Sequence, residues 1–243
     1  MRYKYILSAI VIFSFSCETE DVAPINPNDP VDPTEILGCT DPNAVNYNSD
    51  ANTDDGCCQY ASLLLNEVLY DPSNSGLEGD ANGDGVYVHN QDEFVELINV
   101  STSVLDISGY EFYDNTNLIS GMPNHIVPAG TVLDPMQAYV LFGGGNPTGA
   151  FGGAIVHTVS GLSIELSSPT EPVSALNLTN ASDTLTIKND IGETLIVFDV
   201  EALSNNPNES YTKLPDICGD FVQHNSTSLG LFSPGTKSNG DPF

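Results

Sequence analysis

Two short stretches of the chain repeat one arrangement of oxygen-bearing side chains. Asp50-Ala51-Asn52-Thr53-Asp54-Asp55-Gly56 and Asp80-Ala81-Asn82-Gly83-Asp84-Gly85 both read D-A-N-x-D, followed at once or one residue later by Gly. Oxygens two residues apart, beside a glycine that lets the chain turn sharply, can converge on one point, and Ca2+ takes roughly six to eight oxygen ligands in such loops. In the second copy Asp80, Asn82 and Asp84 would fill the first, third and fifth ligand places, Gly85 the turn, and the Val86 carbonyl the seventh. A helix-loop-helix calcium loop then needs a bidentate acid at its twelfth place. Gln91 stands there, and Asp92 and Glu93 arrive one and two residues late. The expected calcium ligands are therefore Asp80, Asn82, Asp84, Val86, Asp92 and Glu93, with Asp50, Asn52 and Asp54 as a second set. Acids this dense are costly to fold together without a cation.

Catalytic arrangements are not legible. His89, His125, His157 and His224 are scattered, and the chain has no H-E-x-x-H, G-x-S-x-G or G-K-[ST] motif. Gly143-Gly144-Gly145-Asn146, with Gly149, Gly152 and Gly153, lacks a lysine and a strand-to-helix switch, so it reads as a flexible surface loop and not a phosphate cradle. His89 lies inside the second acidic loop, where a neutral imidazole suits a hard cation poorly, and it is expected to face solvent. Asp92 and Glu93, as neighbours on a strand, would point to opposite faces and make a poor acid/base pair for glycoside hydrolysis. The chain is expected not to be an enzyme.

Charge excludes further classes. The 243 residues hold 5 Lys+Arg against 33 Asp+Glu, a formal charge of −28. Arg2 and Lys4 precede every acid, so from Cys17 onward the balance is 3 − 33 = −30, with Lys188, Lys213 and Lys237 as the only cations. Three scattered lysines make no patch for nucleic acid, and none for anionic lipid headgroups. Such acidity suits a soluble, mutually repelling surface or cation binding through carboxylates. At 40% hydrophobic and 16% charged the chain is globular, and its wealth of Asn, Ser, Thr and Gly points to turns and strands.

Residues 1–16 read as an export signal: Arg2 and Lys4, then Ile6 to Phe13, then Ser14-Phe15-Ser16. About ten apolar residues are too few for a membrane span, which takes ~20. The small residue before Cys17 and the polar Glu18-Thr19-Glu20-Asp21 after it resemble the lipobox of bacterial lipoproteins, although Phe15 departs from the usual Ala or Ser. The resemblance implies cleavage before Cys17 and lipidation of Cys17, hence anchoring in a membrane by more than one acyl chain. Ordinary secretion is the other reading of these residues. The acidic run also resembles the surface-export signal of some Gram-negative lipoproteins, which implies an exposed position on the bacterial outer membrane; a solvated tether has the same composition. Residues 17–37, with Pro24, Pro27, Pro30 and Pro33 among acids, form the tether.

Residues 38–60 have little aliphatic content but hold Cys39, Cys57 and Cys58. An exported protein keeps disulfides, and Cys39 bonded to Cys57 or Cys58 would close a loop worth about 3 kcal/mol. With Cys218, three pairings exist, and the adjacent Cys57 and Cys58 are poor partners for each other. The stretch GCTDPNAVNYNSDANTDDGCC resembles a short acidic disulfide repeat of bacterial surface proteins. That resemblance aligns Cys39 and Cys58 with the repeat's terminal cysteines and implies that they pair. Cys57, where the repeat has Ser, is then assigned to Cys218, a bond that would clamp this module onto the end of the main domain.

From 61 to 243, short apolar runs alternate with turn signals. They are Leu63–Tyr70, Phe94–Val100, Tyr110–Tyr113, Ile126–Val127, Tyr139–Phe142, Ile155–Val159, Leu185–Lys188 and Leu195–Val200. Asp183 to Lys188 alternates as a strand with one wet face, and no helical period persists, so an antiparallel sandwich is expected. The ordered blocks LLLNEVLYDP, DEFVELINVSTSVLDISGYEFYD, HIVPAGTVLDPMQAYVLF, LNLTNASDTLTIKNDIGETL and LFSPGTKSNG resemble the lamin-tail domain. The resemblance implies an all-β, immunoglobulin-like antiparallel β-sandwich, in which bacterial members often carry a D-A-N-G-D-G insertion between the first two strands. It transfers no catalytic residue, and the charge is incompatible with a chromatin role. The expected function is a calcium-stabilised binding or adhesion module of the cell envelope, with a glycan or an envelope protein as partner; a passive spacer is the alternative. Tyr87, Tyr110, Phe112, Tyr113 and Phe151 are the aromatic candidates for a ligand platform.

Overall fold

The apolar runs become strands. The computed structural model describes residues 35–166, 173–180, 182–200, 208–226 and 230–243, and Ile36–Phe243 forms one compact unit. The expected signal peptide, Cys17 and most of the tether lie outside the described residues. β1 (Leu37–Gly38) and β2 (Thr53–Asp54) belong to the cysteine-rich stretch. Then follow β3 (Leu63–Leu69), the one-turn helix α1 (His89–Asp92), β4 (Phe94–Asn99), β5 (Leu105–Asp106) and β6 (Glu111–Tyr113). Next come α2 (Asn115–Ser120), β7 (His125–Ile126), β8 (Val132–Leu133), β9 (Ala138–Phe142) and β10 (Ile155–Thr158). β11 (Thr184–Lys188), β12 (Thr194–Asp199), β13 (Tyr211–Leu214) and β14 (Asp220–Gln223) complete the order.

Two sheets face each other. The larger has the order β10-β9-β4-β3-β13-β14 and the smaller β12-β11-β6-β7. All their ladders are antiparallel except that of edge strand β10, which runs parallel to β9. Between the sheets lies the main core, built by Leu65, Val68, Val95, Leu97, Tyr139 and Leu141 from one side and Phe112, Leu185, Ile187 and Phe198 from the other. The expected wet face of β11 is covered at its centre: Thr186 is 3% exposed between Tyr113 and Val197 of the flanking strands.

The larger sheet is buried on both faces, which explains why β3, β4 and β9 read as unbroken apolar runs instead of alternating ones. Leu69, Phe94, Val140 and Phe142 point away from the sandwich, with Val156 of β10 beside them, and are covered by Ala81, Phe151 and Phe232. Further along the same face, Ile98, Val100 and Ala138 pack with Val45, Leu64, Ile217 and Phe243. This second layer is made of loops and the C-terminal segment, with Val45 of the cysteine-rich stretch among them. Cys39 bonds Cys58 with Cα atoms 4.8 Å apart, and Cys57 bonds Cys218 at 5.1 Å. Gln59 Nε2 donates to the Ile217 carbonyl at 3.3 Å beside the second bond.

Two glutamates interrupt that outer face. Glu67 on β3 and Glu96 on β4 are register partners, and both are fully buried. Glu67 accepts from Ser210 Oγ (2.6 Å), Ser233 N (2.9 Å) and Ser233 Oγ (2.7 Å). Glu96 accepts from Asn66 Nδ2 (2.9 Å) and Gly235 N (2.6 Å). The C-terminal segment is thus laid across the sheet by donors to buried carboxyls as well as by Phe232.

A candidate calcium loop and the hollow beside it

The loop between β3 and β4 is shaped by its own acids. Asp80 Oδ2 accepts the Gly85 N–H (2.9 Å), Asn82 Oδ1 the Asp84 N–H (3.0 Å), and Asp84 Oδ1 the Val86 N–H (2.9 Å). Gly83 and Gly85 take positive φ of 71° and 89°, the left-handed turns that the D-A-N-G-D-G spelling supplies. Asp92, fully buried at the end of α1, closes the loop by accepting from Val88 N (2.8 Å) and Asn82 N (3.3 Å).

Of the expected calcium ligands, the structure brings Asp80, Asn82, Asp84 and Asp92 into one neighbourhood. Burial pushes the Asp92 carboxyl up to about 6, and the nearby Asp80 and Asp84 push in the same direction. Asp80 Oδ1 is buried without a hydrogen-bond partner. An orphaned, buried carboxylate oxygen beside two other acids is the donor chemistry a hard cation satisfies. Among the described residues, however, no three Asp, Glu, His or Cys side chains already stand in a metal-holding array. A cation would have to draw these carboxylates together.

Glu93 is not part of this neighbourhood. Its carboxyl accepts from Leu178 N at 3.2 Å, and burial holds it well above the ordinary range, with Asp183 and Asp114 adding to the rise. Val86 is exposed, and its N–H is turned to Asp84. In the first copy the residues serve separate contacts: Asn52 Oδ1 accepts from Ile36 N (2.9 Å), Asp54 Oδ1 from Gly56 N (3.0 Å), and the Asp50 backbone N–H donates to Asn48 Oδ1 (3.0 Å).

The glycine-rich stretch after β9 is held, not free. Asp84 Oδ2 accepts the Asn146 N–H at 3.1 Å, the Asn82 carbonyl accepts the Thr148 N–H at 2.8 Å, and the Thr148 hydroxyl donates to the Gly83 carbonyl. A Cβ at Gly143 would stand 1.9 Å from the Asn90 carbonyl oxygen, and one at Gly145 would stand 2.4 Å from Asn82 Nδ2. Glycine here permits close approach of two loops, a requirement that composition alone reads as flexibility. Beside it opens a hollow of about 420 Å3, bounded by residues 145–147, 149–151, Ala154 and residues 156–158.

Two histidines scattered in sequence meet around one phenol. His125 Nε2 lies 3.0 Å and His157 Nδ1 3.3 Å from the Tyr139 hydroxyl. Ser160 N donates to His125 Nδ1 at 3.3 Å, so the His125 proton sits on Nε2 and is donated to Tyr139, whose own proton goes to His157 Nδ1. Burial lowers both imidazoles, His125 to about 4 with His157 contributing. Sequence reasoning missed this chain; β9–β10 pairing, which sets Tyr139 opposite Ile155 and Leu141 opposite His157, creates it. Of the aromatic candidates, Phe112 and Tyr113 are core residues, while Tyr87, Tyr110 and Phe151 are partly exposed.

A two-sheet, immunoglobulin-like β-sandwich with an acidic insertion between its first long strands is the class these features define. Residues 59–202, more than half of the chain, match the lamin tail domain, and the chain belongs to that family. The match ends before β13, β14 and the C-terminal segment, which nonetheless complete the larger sheet and its cover. No curated protein matches the chain at a significant level.

Proposed function

We propose that this protein is a non-enzymatic, exported lipoprotein, anchored to the bacterial outer membrane through Cys17, whose lamin tail domain acts as a calcium-stabilised binding or adhesion module of the cell envelope. The observation that carries the reading is the pair of disulfides, Cys39–Cys58 and Cys57–Cys218. Such bonds persist in oxidising compartments, and the second ties the cysteine-rich stretch to the far end of the domain. The unpaired Asp80 Oδ1 beside Asp84 and Asp92 supports the calcium part of the reading. Asp80, Asn82, Asp84 and Asp92 would hold the ion, which would neutralise the loop and fix it against residues 143–148. A glycan or another envelope protein is the partner class consistent with a surface this acidic.

The test is thermal unfolding of the oxidised protein in excess calcium and in excess chelator, together with mass analysis of the membrane-extracted form. A rise of several degrees that magnesium does not reproduce, and a lipid-modified Cys17, are expected. An unchanged unfolding temperature would remove calcium from the reading, and an unmodified or absent Cys17 would remove the anchor.

A further inference from the structure

The hollow beside the acidic loop is built from groups that restrict what it can hold. None of the residues lining it is Lys, Arg, Asp or Glu. With no cation in the lining and 33 acids in the chain, an anion has nothing to bind; with no carboxylate in the lining, neither does a cationic ligand. The walls combine hydrogen-bonding groups, Asn146 and Thr158, with the apolar surfaces of Phe151 and Val156. That mixture fits a ligand that is uncharged, rich in hydroxyls and apolar on its C–H faces.

Two features show that the lining is held in place. Phe151 takes φ of +41°, a strained conformation for a residue with a side chain, and it stays there packed on Phe142 with ring centroids 5.4 Å apart. A Cβ at Gly235 would stand 2.1 Å from the Phe151 carbonyl oxygen, so the C-terminal segment closes against it. His157 borders the hollow only through its place on β10: its ring shares the inner face with its register partner Leu141 and is turned to Tyr139, while Val156 and Thr158 on either side face outward.

We propose that this hollow is a binding site for a neutral saccharide, with Phe151 as the stacking surface and Asn146 and Thr158 as hydrogen-bonding partners. The inference rests on the binding-module reading and gives it a place and a ligand class. The purified full chain, in calcium, would be run through gels containing dextran, mannan, laminarin or galactan, and in parallel mixed with envelopes of the producing cell. Retardation by at least one of these polysaccharides is expected, weakened by about tenfold in each of Asn146→Ala and Thr158→Ala, at about 1.4 kcal/mol per tenfold. Thr158→Val, which keeps the side-chain shape, serves if an alanine variant lowers the unfolding temperature. Retardation unchanged in all the variants, or envelope binding with no retardation by any polysaccharide, overturns the saccharide site and leaves the binding-module reading standing. Failure to bind envelopes as well overturns both.

Discussion

Glu67 and Glu96 stand directly opposite each other across β3 and β4, on the outer face of the larger sheet, and neither reaches solvent. Like charges in that relationship repel, and burial penalises each of them further. Both carboxyls are held above the ordinary range: burial is the main cause for each, Glu67 adds to the rise of Glu96, and His224 partly offsets that of Glu67. What makes the pair tolerable is the supply of donors from Asn66, Ser210, Ser233 and Gly235.

Because the Ser233 hydroxyl and N–H both go to Glu67, Ser233→Ala leaves a buried acceptor without one partner. It should cost about 1–3 kcal/mol. Urea unfolding of variant and parent checks this, and coincident midpoints would show that the Ser233 hydroxyl adds nothing to the C-terminal latch.

Asp92 gives a pH dependence of definite sign. Its carboxyl titrates at about 6 when folded, against ~3.9 in an unfolded chain. Between those values the folded state holds the extra proton, so this group's contribution to stability is full below ~4 and is lost as pH rises through about 6. In calcium-free buffer, Asp92→Asn should therefore gain on the parent as pH is raised from mildly acid to neutral. His125, lowered to about 4, acts in the opposite sense, but it is common to both proteins and cancels from the difference. A pH-independent gap between the two melting curves would contradict the assignment.

Calcium should discriminate between loop variants. Asp84→Ala removes one proposed ligand and the acceptor of the Asn146 N–H, so its calcium-induced rise in unfolding temperature should be abolished. Asp54→Ala, in the first copy, removes the acceptor of the Gly56 N–H and should leave the calcium response intact. Equal responses in parent and Asp84→Ala would count decisively against an ion at this loop.

Cys218→Ser should release Cys57 as a free thiol open to alkylation. The bond it removes spans a sequence separation of 161 residues and is worth about 5 kcal/mol by chain entropy, against about 3 kcal/mol for Cys39–Cys58. Guanidinium unfolding of the two single variants would rank them; a larger loss from Cys39→Ser would mean that the short loop carries the structure.

The eight apolar runs were legible as strands because each core strand must show its pattern locally, whatever it pairs with. β13 and β14 were not, since Tyr211–Leu214 and Asp220–Gln223 are short, and become strands only because β13 pairs on β3 and β14 on β13. The D-A-N-G-D-G turn was readable because its geometry is local, whereas the separation of Asp92 from Glu93 required knowing that one side of the chain meets the loop and the other Leu178. Glu67 in LLLNEVL and Glu96 in FVELIN carried a signal, a lone acid inside an apolar run, but their mutual opposition depends on register across the hairpin. The meeting of His125 and His157 left no trace in sequence at all, because long-range strand pairing alone brings them to Tyr139.

The Cys57–Cys218 bond turns most of the domain into a covalent ring. Tension applied between the chain ends outside that ring passes through sulfur and spares every strand from β3 to β13. Tension applied at the glycine-rich loop, which lies inside it, divides between two arms of backbone, one running back through β3 and the other forward through β13. A module tethered at one end and gripped near Phe151 would thus resist unzipping under load even where its thermal stability is modest.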